Sequence, residues 1–77
     1  MSKLPVVSGQ ECLGALLRAG FCLRRQTGSH LILRRDNPFA QLVVPDHRVL
    51  DRGTLRAILR QAGLSVDEFA RLLAQSR

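Results

Sequence analysis

The chain has 77 residues, 45% of them hydrophobic and 23% charged, so its composition predicts one folded domain over residues 1–77 and excludes global disorder. A chain this short buries only about 60% of the surface that its unfolded form exposes, which leaves little room for an enclosed active-site cavity. Twelve Lys and Arg residues, all but one of them arginine, against six Asp and Glu give a net charge of +6. This excess favours a polyanionic partner, with nucleic acid preferred over a membrane, although an acidic protein also fits the charge.

The two cysteines, Cys12 and Cys22, are too few for a disulfide framework, and both occur within apolar patterns. We therefore expect both to be small core residues of a reduced, cytoplasmic protein. No apolar run approaches about 18 residues, so a membrane span is not expected. The first ten residues also lack the long apolar segment of a signal peptide.

Two capping boxes mark helix starts. The first, "SGQE" at 8–11, precedes a helical apolar pattern and predicts a helix over 9–19. The second, "SVDE" at 65–68, predicts a short last helix with Phe69, Leu72 and Leu73 inward. Between them, 54–62 reads as a helix closed by Gly63, and its apolar stripe consists of Leu55, Ile58, Leu59 and Ala62.

The stretch "FCLRRQTGSHLILRR" at 21–35 alternates apolar and polar residues and predicts two strands. A three-residue loop over 26–28, with Gly28 in the left-handed conformation, pairs Leu23 with Leu31 and Phe21 with Leu33 on one buried face. The segment "AQLVVP" supplies a third strand with Leu42 and Val44 inward.

The order of elements predicts an α+β fold with two layers. Three consecutive strands with short turns form an antiparallel sheet, and helices cover one of its faces in the order α-β-β-β-α with a short C-terminal helix. The other face stays open to solvent. All three aromatic residues are phenylalanines at apparent core positions, so base stacking on exposed aromatic rings is not expected.

The open face carries the first candidate site. The predicted register sets Arg24 opposite His30, with Arg34 on the same face and Arg25 and Arg35 turned away from it. A histidine can act as general acid or base in phosphodiester cleavage, and the arginines can hold the phosphate. RNA suits this chemistry because its 2′-hydroxyl is an internal nucleophile. On the residues alone, however, a surface histidine without a function is the more common case.

Two further features are basic. His47, after the third strand, is either a second proton carrier or a loop residue. Two histidines without clustered ligands argue against a zinc site, so no cofactor is expected. Arg52, Arg56 and Arg60 recur every four residues and form a ridge on the predicted second helix. A solvated helix face has the same pattern, but three arginines without an acid on that face favour phosphate binding.

Several motifs in the same order and spacing resemble the HicA toxin family of bacterial toxin–antitoxin modules, over nearly the whole chain. The matching stretches are "LPVVSGQE" (4–11), "LLRAGF" (16–21), "RRQTGSHLIL" (24–33), "VVPDH" (43–47) and "RGTLRAILRQAGLSVDEF" (52–69).

The resemblance implies a fold similar to double-stranded-RNA-binding domains, an mRNA-cleaving activity and a HicB antitoxin partner. The essential histidine of the family lies in a Gly-Ser-His motif, which here is Gly28-Ser29-His30. We therefore expect a metal-independent endoribonuclease with His30 as its catalytic residue. The RNA contacts expected for it are Arg24, Gly28, Ser29, Arg34, Arg52, Arg56 and Arg60. The alternatives are a non-catalytic RNA-binding module and a domain that binds an acidic protein.

Overall fold

The computed structural model describes residues 3–75, so residues 1–2 and 76–77 of the predicted domain lie outside the described part. It confirms the α+β fold with three antiparallel strands in one open sheet and the order α-β-β-β-α-α. The elements are α1 (Gly9–Arg18), β1 (Cys22–Thr27), β2 (His30–Asp36), β3 (Phe39–Pro45), α2 (Arg52–Ala62) and α3 (Val66–Gln75).

The sheet has the strand order β1-β2-β3, with β2 in the centre. Leu31, Leu33, Leu42 and Val44 alternate along β2 and β3 and are buried, which confirms the predicted inner face. They belong to one core with buried residues of all three helices, including Leu16, Leu55 and Phe69. The helices therefore occupy one face, and the residues between those buried positions form the open face of the sheet.

The helix caps follow the predicted chemistry. At α1 the Ser8 hydroxyl accepts from the Glu11 N–H, and the Glu11 carboxylate accepts from the Ser8 N–H. Ser65 and Glu68 form the same reciprocal pair at α3. Helix α2 begins two residues earlier than predicted because Asp51 is its N-cap, where the carboxylate accepts from the Thr54 N–H at 2.7 Å.

The predicted register of the first hairpin is wrong. Thr27 pairs with His30, so the loop is the two-residue Gly28-Ser29 rather than a three-residue loop over 26–28. Gly28 does have a positive φ of 58°, whereas the φ of Ser29 is not positive, which is the pattern of a type II′ turn with glycine first. A β-bulge at Arg24 then restores apolar pairing farther along, so that Leu23 faces Leu33.

Three predicted core positions are exposed. Strand β1 is solvent-exposed along its whole length, and Leu23 is 41% exposed although it faces Leu33. Cys22 is also exposed, so of the two cysteines predicted in the core only Cys12 is buried. Phe39, at the start of β3, is 68% exposed, in contrast to the buried Phe21 and Phe69. Cys22 pairs with Arg34, and Phe39 alternates with the inward Leu42 and Val44, so both side chains lie on the open face. Leu23 lies on the edge strand β1.

One arginine ties the two layers together. The Arg35 guanidinium donates to the carbonyl of Pro38 at 2.9 Å and to the carbonyl of Ala62, at the end of α2, at 3.2 Å. It also lies over the Phe21 ring, 4.6 Å from the centroid. Arg35 is therefore turned from the open face, as predicted, and connects β2 to the last turn of α2.

Candidate functional site

His30 is the first residue of the central strand, directly after the Gly28-Ser29 turn, and its side chain is exposed. It alternates with the buried Leu31, so it projects from the open face. Its neighbours across the sheet are Thr27 on β1 and Pro45 on β3. The predicted pairing of His30 with Arg24 is wrong, because the shorter loop moves Arg24 toward the far end of the hairpin.

Backbone hydrogen bonds hold the turn that precedes His30. The Asp46 N–H donates to the Ser29 carbonyl at 2.6 Å, which extends the pairing of β2 and β3 beyond Pro45. The Gln26 amide donates to the Gly28 carbonyl at 3.2 Å. Gly28 and Ser29 are thus placed directly beside His30, as parts of a turn tied to both neighbouring strands.

The N-terminus of α1 abuts the end of β3. A Cβ atom at Gly9 would overlap the carbonyl oxygen of Pro45, so only glycine lets the helix approach this closely. The Gly9 N–H donates to the His47 carbonyl at 2.8 Å, and the Gln10 amide donates to the Asp46 carboxylate at 3.0 Å. These contacts fix the loop that follows Pro45.

Three arginines converge on the open face. Arg24, Arg25 and Arg34 line one groove of about 350 Å³ together with Ile32 and Gln41. The prediction that Arg25 turns away from this face is wrong. The two-residue loop makes Arg25 the partner of Ile32, and directly paired residues present their side chains on the same face.

Arg34 is held more firmly than its two neighbours. Its Nε donates to Asp36 at 2.9 Å, and its side chain is 34% exposed. A guanidinium carries four further N–H donors on its two Nη atoms, so this pair orients the group without using all of its donors. The groove therefore combines one oriented arginine with two exposed ones.

His47 lies in the loop after β3 and is exposed. Hydrogen bonds from the Thr54 N–H and hydroxyl lower the pKa of Asp51, and His47 contributes a smaller, electrostatic effect in the same direction. His47 is thus near the N-terminus of α2. His47 follows Pro45, the cross-strand partner of His30, by two residues. It therefore lies at the same end of the sheet as His30.

The arginine ridge, Arg52, Arg56 and Arg60, is exposed on α2. Arg56 and Arg60 line a groove with Leu59, Leu64, Ser65 and Val66, on the side of α2 that faces α3. The opposite flank of α2, which includes Thr54, Ala57 and Gln61, faces β3. The ridge therefore belongs to the helical layer, and the structure does not bring it together with His30, Arg24 and Arg34.

Sequence reasoning missed Arg25 and Gln41. Gln41 is the cross-strand partner of Arg34, and its alternation with the inward Leu42 was the signal that could have found it. The signal for Arg25 was the length of the first hairpin loop, because a two-residue loop at Gly28-Ser29 pairs Arg25 with Ile32 and places it on the open face.

Burial distinguishes the two thiols. Burial raises the pKa of Cys12 to about 12, so this thiol stays protonated and unreactive in the folded protein. Cys22 is exposed on the open face and pairs with Arg34. Within residues 3–75 no three His, Cys, Asp or Glu side chains form a group that could hold a metal ion.

In the described part of the chain, no helix has the length and apolar character that crossing a membrane requires. No curated protein sequence matches the chain. The family model for the HicA toxin of bacterial toxin–antitoxin systems matches residues 9–64, from the start of α1 to just beyond α2. This match covers most of the chain and includes the Gly28-Ser29-His30 turn, the open face and the arginine ridge. The protein is therefore a member of the HicA toxin family and a toxin of a toxin–antitoxin system.

Proposed function

We propose that the toxin is an endoribonuclease that cleaves mRNA and that His30 is its general acid–base. The observation that carries the proposal is the position of His30: an exposed proton carrier on the open face, next to a turn fixed by backbone hydrogen bonds. Three arginines lie farther along the same face. An exposed face suits RNA, because the substrate is large and its ribose 2′-hydroxyl supplies the nucleophile.

The reaction needs two proton transfers. The neutral imidazole of His30 accepts the proton of a ribose 2′-hydroxyl while the 2′-oxygen attacks the adjacent phosphorus. The bond from phosphorus to the 5′-oxygen breaks, and that oxygen takes a proton from a protonated imidazole or from water. The products are a 2′,3′-cyclic phosphate and a 5′-hydroxyl. Histidine suits both transfers because it titrates near neutral pH, and neither transfer uses a metal ion.

His47 is the candidate for the second proton transfer. It is exposed and lies at the same end of the sheet as His30, in a loop fixed by the Gly9 N–H. In this scheme one histidine removes the 2′-proton and the other protonates the leaving 5′-oxygen. His47 is a supporting residue in the proposal, since the family motif contains only His30.

The arginines stabilise negative charge on the phosphates. Arg24 and Arg34 bind the RNA strand on the open face of the sheet. The turn at Gly28 and Ser29 bounds the site beside His30. The ridge on α2 contacts phosphates of a more distant part of the RNA. Contacts of this kind give affinity with little sequence readout, so we expect the toxin to cleave many different messages.

We further propose that a HicB antitoxin neutralises the toxin by covering His30 and the open face. The groove has three arginines and one neighbouring carboxylate, Asp36, so carboxylates on the antitoxin would compete directly with RNA phosphates. Excess antitoxin is then expected to displace RNA from the toxin.

The decisive experiment compares purified wild-type protein with His30→Ala and His47→Ala on a defined RNA in the presence of EDTA. His30→Ala should lower the cleavage rate by about 10²- to 10⁴-fold, because it removes the proton carrier. The fold should persist, since truncation of an exposed side chain has a small effect on stability. Gel analysis and circular dichroism measure the two quantities. His47→Ala should have the smaller effect.

Normal cleavage by folded His30→Ala would contradict the catalytic assignment. Intact RNA with wild-type protein that nevertheless binds RNA would favour the alternative, a non-catalytic RNA-binding module. An RNA with a 2′-O-methyl group at every ribose is the substrate control, because it lacks the nucleophile and should stay intact.

A further inference from the structure

We propose that the β-bulge at Arg24 builds a phosphate-binding subsite on the open face, in which Arg25 is a binding residue for the phosphodiester next to the scissile one. This inference deepens the proposed function and rests on it for the identity of the ligand. With the same two-residue loop, an unbroken strand would pair Arg24 with the buried Leu33 and turn it toward the helical layer. The bulge keeps Arg24 on the open face beside Arg25.

The bulge changes the direction of one side chain. In an uninterrupted strand, consecutive residues point to opposite faces, so Arg24 and Arg25 could not share one face. Here Arg25 pairs with Ile32 and Leu23 pairs with Leu33, which leaves Arg24 as the extra residue of the bulge. Both arginines line the groove above Ile32 as a result.

The groove has the composition of an anion site. It contains the guanidinium groups of Arg24, Arg25 and Arg34, the amide of Gln41 and the apolar side chain of Ile32. Among residues 3–75, the carboxylate that pairs with these arginines is that of Asp36, which contacts the Nε of Arg34. Guanidinium groups match phosphate oxygens in pairs, so an oriented arginine flanked by two exposed ones favours a phosphodiester.

The distance to His30 fits the neighbouring phosphate of the same strand. Ile32, at the base of the groove, lies two residues along β2 from His30, a separation of roughly 7 Å between the Cα atoms. A phosphate bound above Ile32 is therefore too far from the imidazole to be the one that reacts. It is close enough to be joined to the reacting phosphate through a nucleotide.

The surface beside the groove suits a nucleotide better than an acidic peptide. Val43 on β3 pairs with Ile32 and is 45% exposed, so an apolar strip lies beside the arginines. A ribose or base can cover this strip while its phosphate occupies the groove. An acidic peptide would use the charges and leave the strip uncovered.

The test measures binding without cleavage. The probe is a fluorescein-labelled 2′-O-methyl RNA of ten nucleotides, and fluorescence anisotropy gives its Kd at several salt concentrations. Arg25→Ala should weaken binding roughly 3- to 10-fold and reduce the slope of log K against log salt by about 0.7, the value for one phosphate of a single strand. Arg18→Ala, an exposed arginine on α1, is the matched control and should leave both quantities near the wild-type values.

Equal effects of Arg25→Ala and Arg18→Ala would overturn the inference, because charge alone would then explain binding. An Arg25→Ala protein with unchanged affinity would overturn it too, while a cleavage defect in His30→Ala would still support the proposed function. Conversely, a specific loss of binding in Arg25→Ala supports the subsite even if wild-type protein cleaves no RNA. An acidic peptide that displaces the probe equally from wild type and Arg25→Ala would count against the groove as the binding site.

Discussion

The open face of the sheet and the arginine ridge of α2 both carry three arginines, but they differ in what surrounds the charge. On the open face, Arg34 is half-buried and paired, and an exposed histidine lies on the same strand. On the ridge, all three arginines are exposed and successive members are one helical turn apart. No His side chain lies within α2 itself.

This difference separates two roles for positive charge. Oriented groups near a proton carrier can stabilise charge that develops in a transition state, because their geometry is set before the reaction. Exposed arginines on a helix mainly raise the affinity for a polyanion and speed up association. The expected consequence is that the open face affects both RNA binding and the rate of the chemical step, whereas the ridge affects RNA binding alone.

The ridge should therefore affect binding and leave the chemical step intact. Replacement of Arg52, Arg56 and Arg60 by glutamine should reduce the salt slope by about 2 and weaken RNA binding by more than 10-fold at 0.15 M salt, because up to three phosphate contacts are lost. The single-turnover rate at saturating protein should equal that of the wild type. Quenched-flow cleavage at increasing protein concentration measures both. A lower rate at saturation would show that the two surfaces are not separate.

A smaller effect is expected from covalent modification of the open face. A bulky maleimide should react with the exposed Cys22 and spare Cys12, whose burial raises its pKa to about 12. The adduct lies beside Arg34, the partner of Cys22, and should weaken binding of the ten-nucleotide probe several-fold. Mass spectrometry identifies the modified residue, and a Cys22→Ser protein treated in the same way is the control. Unchanged binding after complete labelling would place the RNA away from this end of the face.

The smallest effect, a change in thermal stability, is expected from replacement of Asp51, the N-cap residue of α2. Hydrogen bonds from Thr54 keep the pKa of Asp51 low, so Asp51 stabilises the fold above about pH 4, and this contribution is lost as the pH falls through the folded-state pKa. Asp51→Ala should lower the Tm by about 5 °C at pH 7, and the difference from wild type should shrink toward pH 2.

Thermal denaturation followed by circular dichroism at several pH values measures this difference. Asp51→Asn, which retains a cap, should keep most of the stability at pH 7. A Tm gap between Asp51→Ala and wild type that is independent of pH would contradict the assignment of the effect to the ionised carboxylate.

The central part of the fold was predictable because several local signals agreed there. Leu31, Leu33, Leu42 and Val44 alternate without interruption, and the capping boxes at Ser8 and Ser65 mark helix starts by hydrogen-bond chemistry alone. The outward direction of His30 follows from the same alternation. It did not depend on the loop length, which was predicted incorrectly.

The edge strand was not predictable in the same way. Apolar alternation favoured the longer loop because it matches the leucines in an unbroken ladder. The actual two-residue loop pairs Gln26 with Leu31, and the bulge at Arg24 then brings Leu23 back opposite Leu33. A hairpin with the shorter loop and a bulge therefore has nearly the same apolar pattern as a hairpin with the longer loop and no bulge. The pattern could not distinguish the two, so it could not reveal that Arg25 reaches the open face. The exposure of Cys22 and Phe39, in contrast, follows from strand alternation, because both lie on the open face.

The Arg35 contacts have a consequence for substrate length. This side chain joins β2 to the Pro38 turn, to the Phe21 ring and to the Ala62 carbonyl at the end of α2, so it holds the ridge-bearing helix against the sheet. The separation between the two basic surfaces is then a fixed property of the domain. An RNA that engages both must be long enough to pass around the molecule, and a shorter fragment, such as a cleavage product, can hold only one. Under the proposed function, we therefore expect long RNAs to bind more tightly than short fragments.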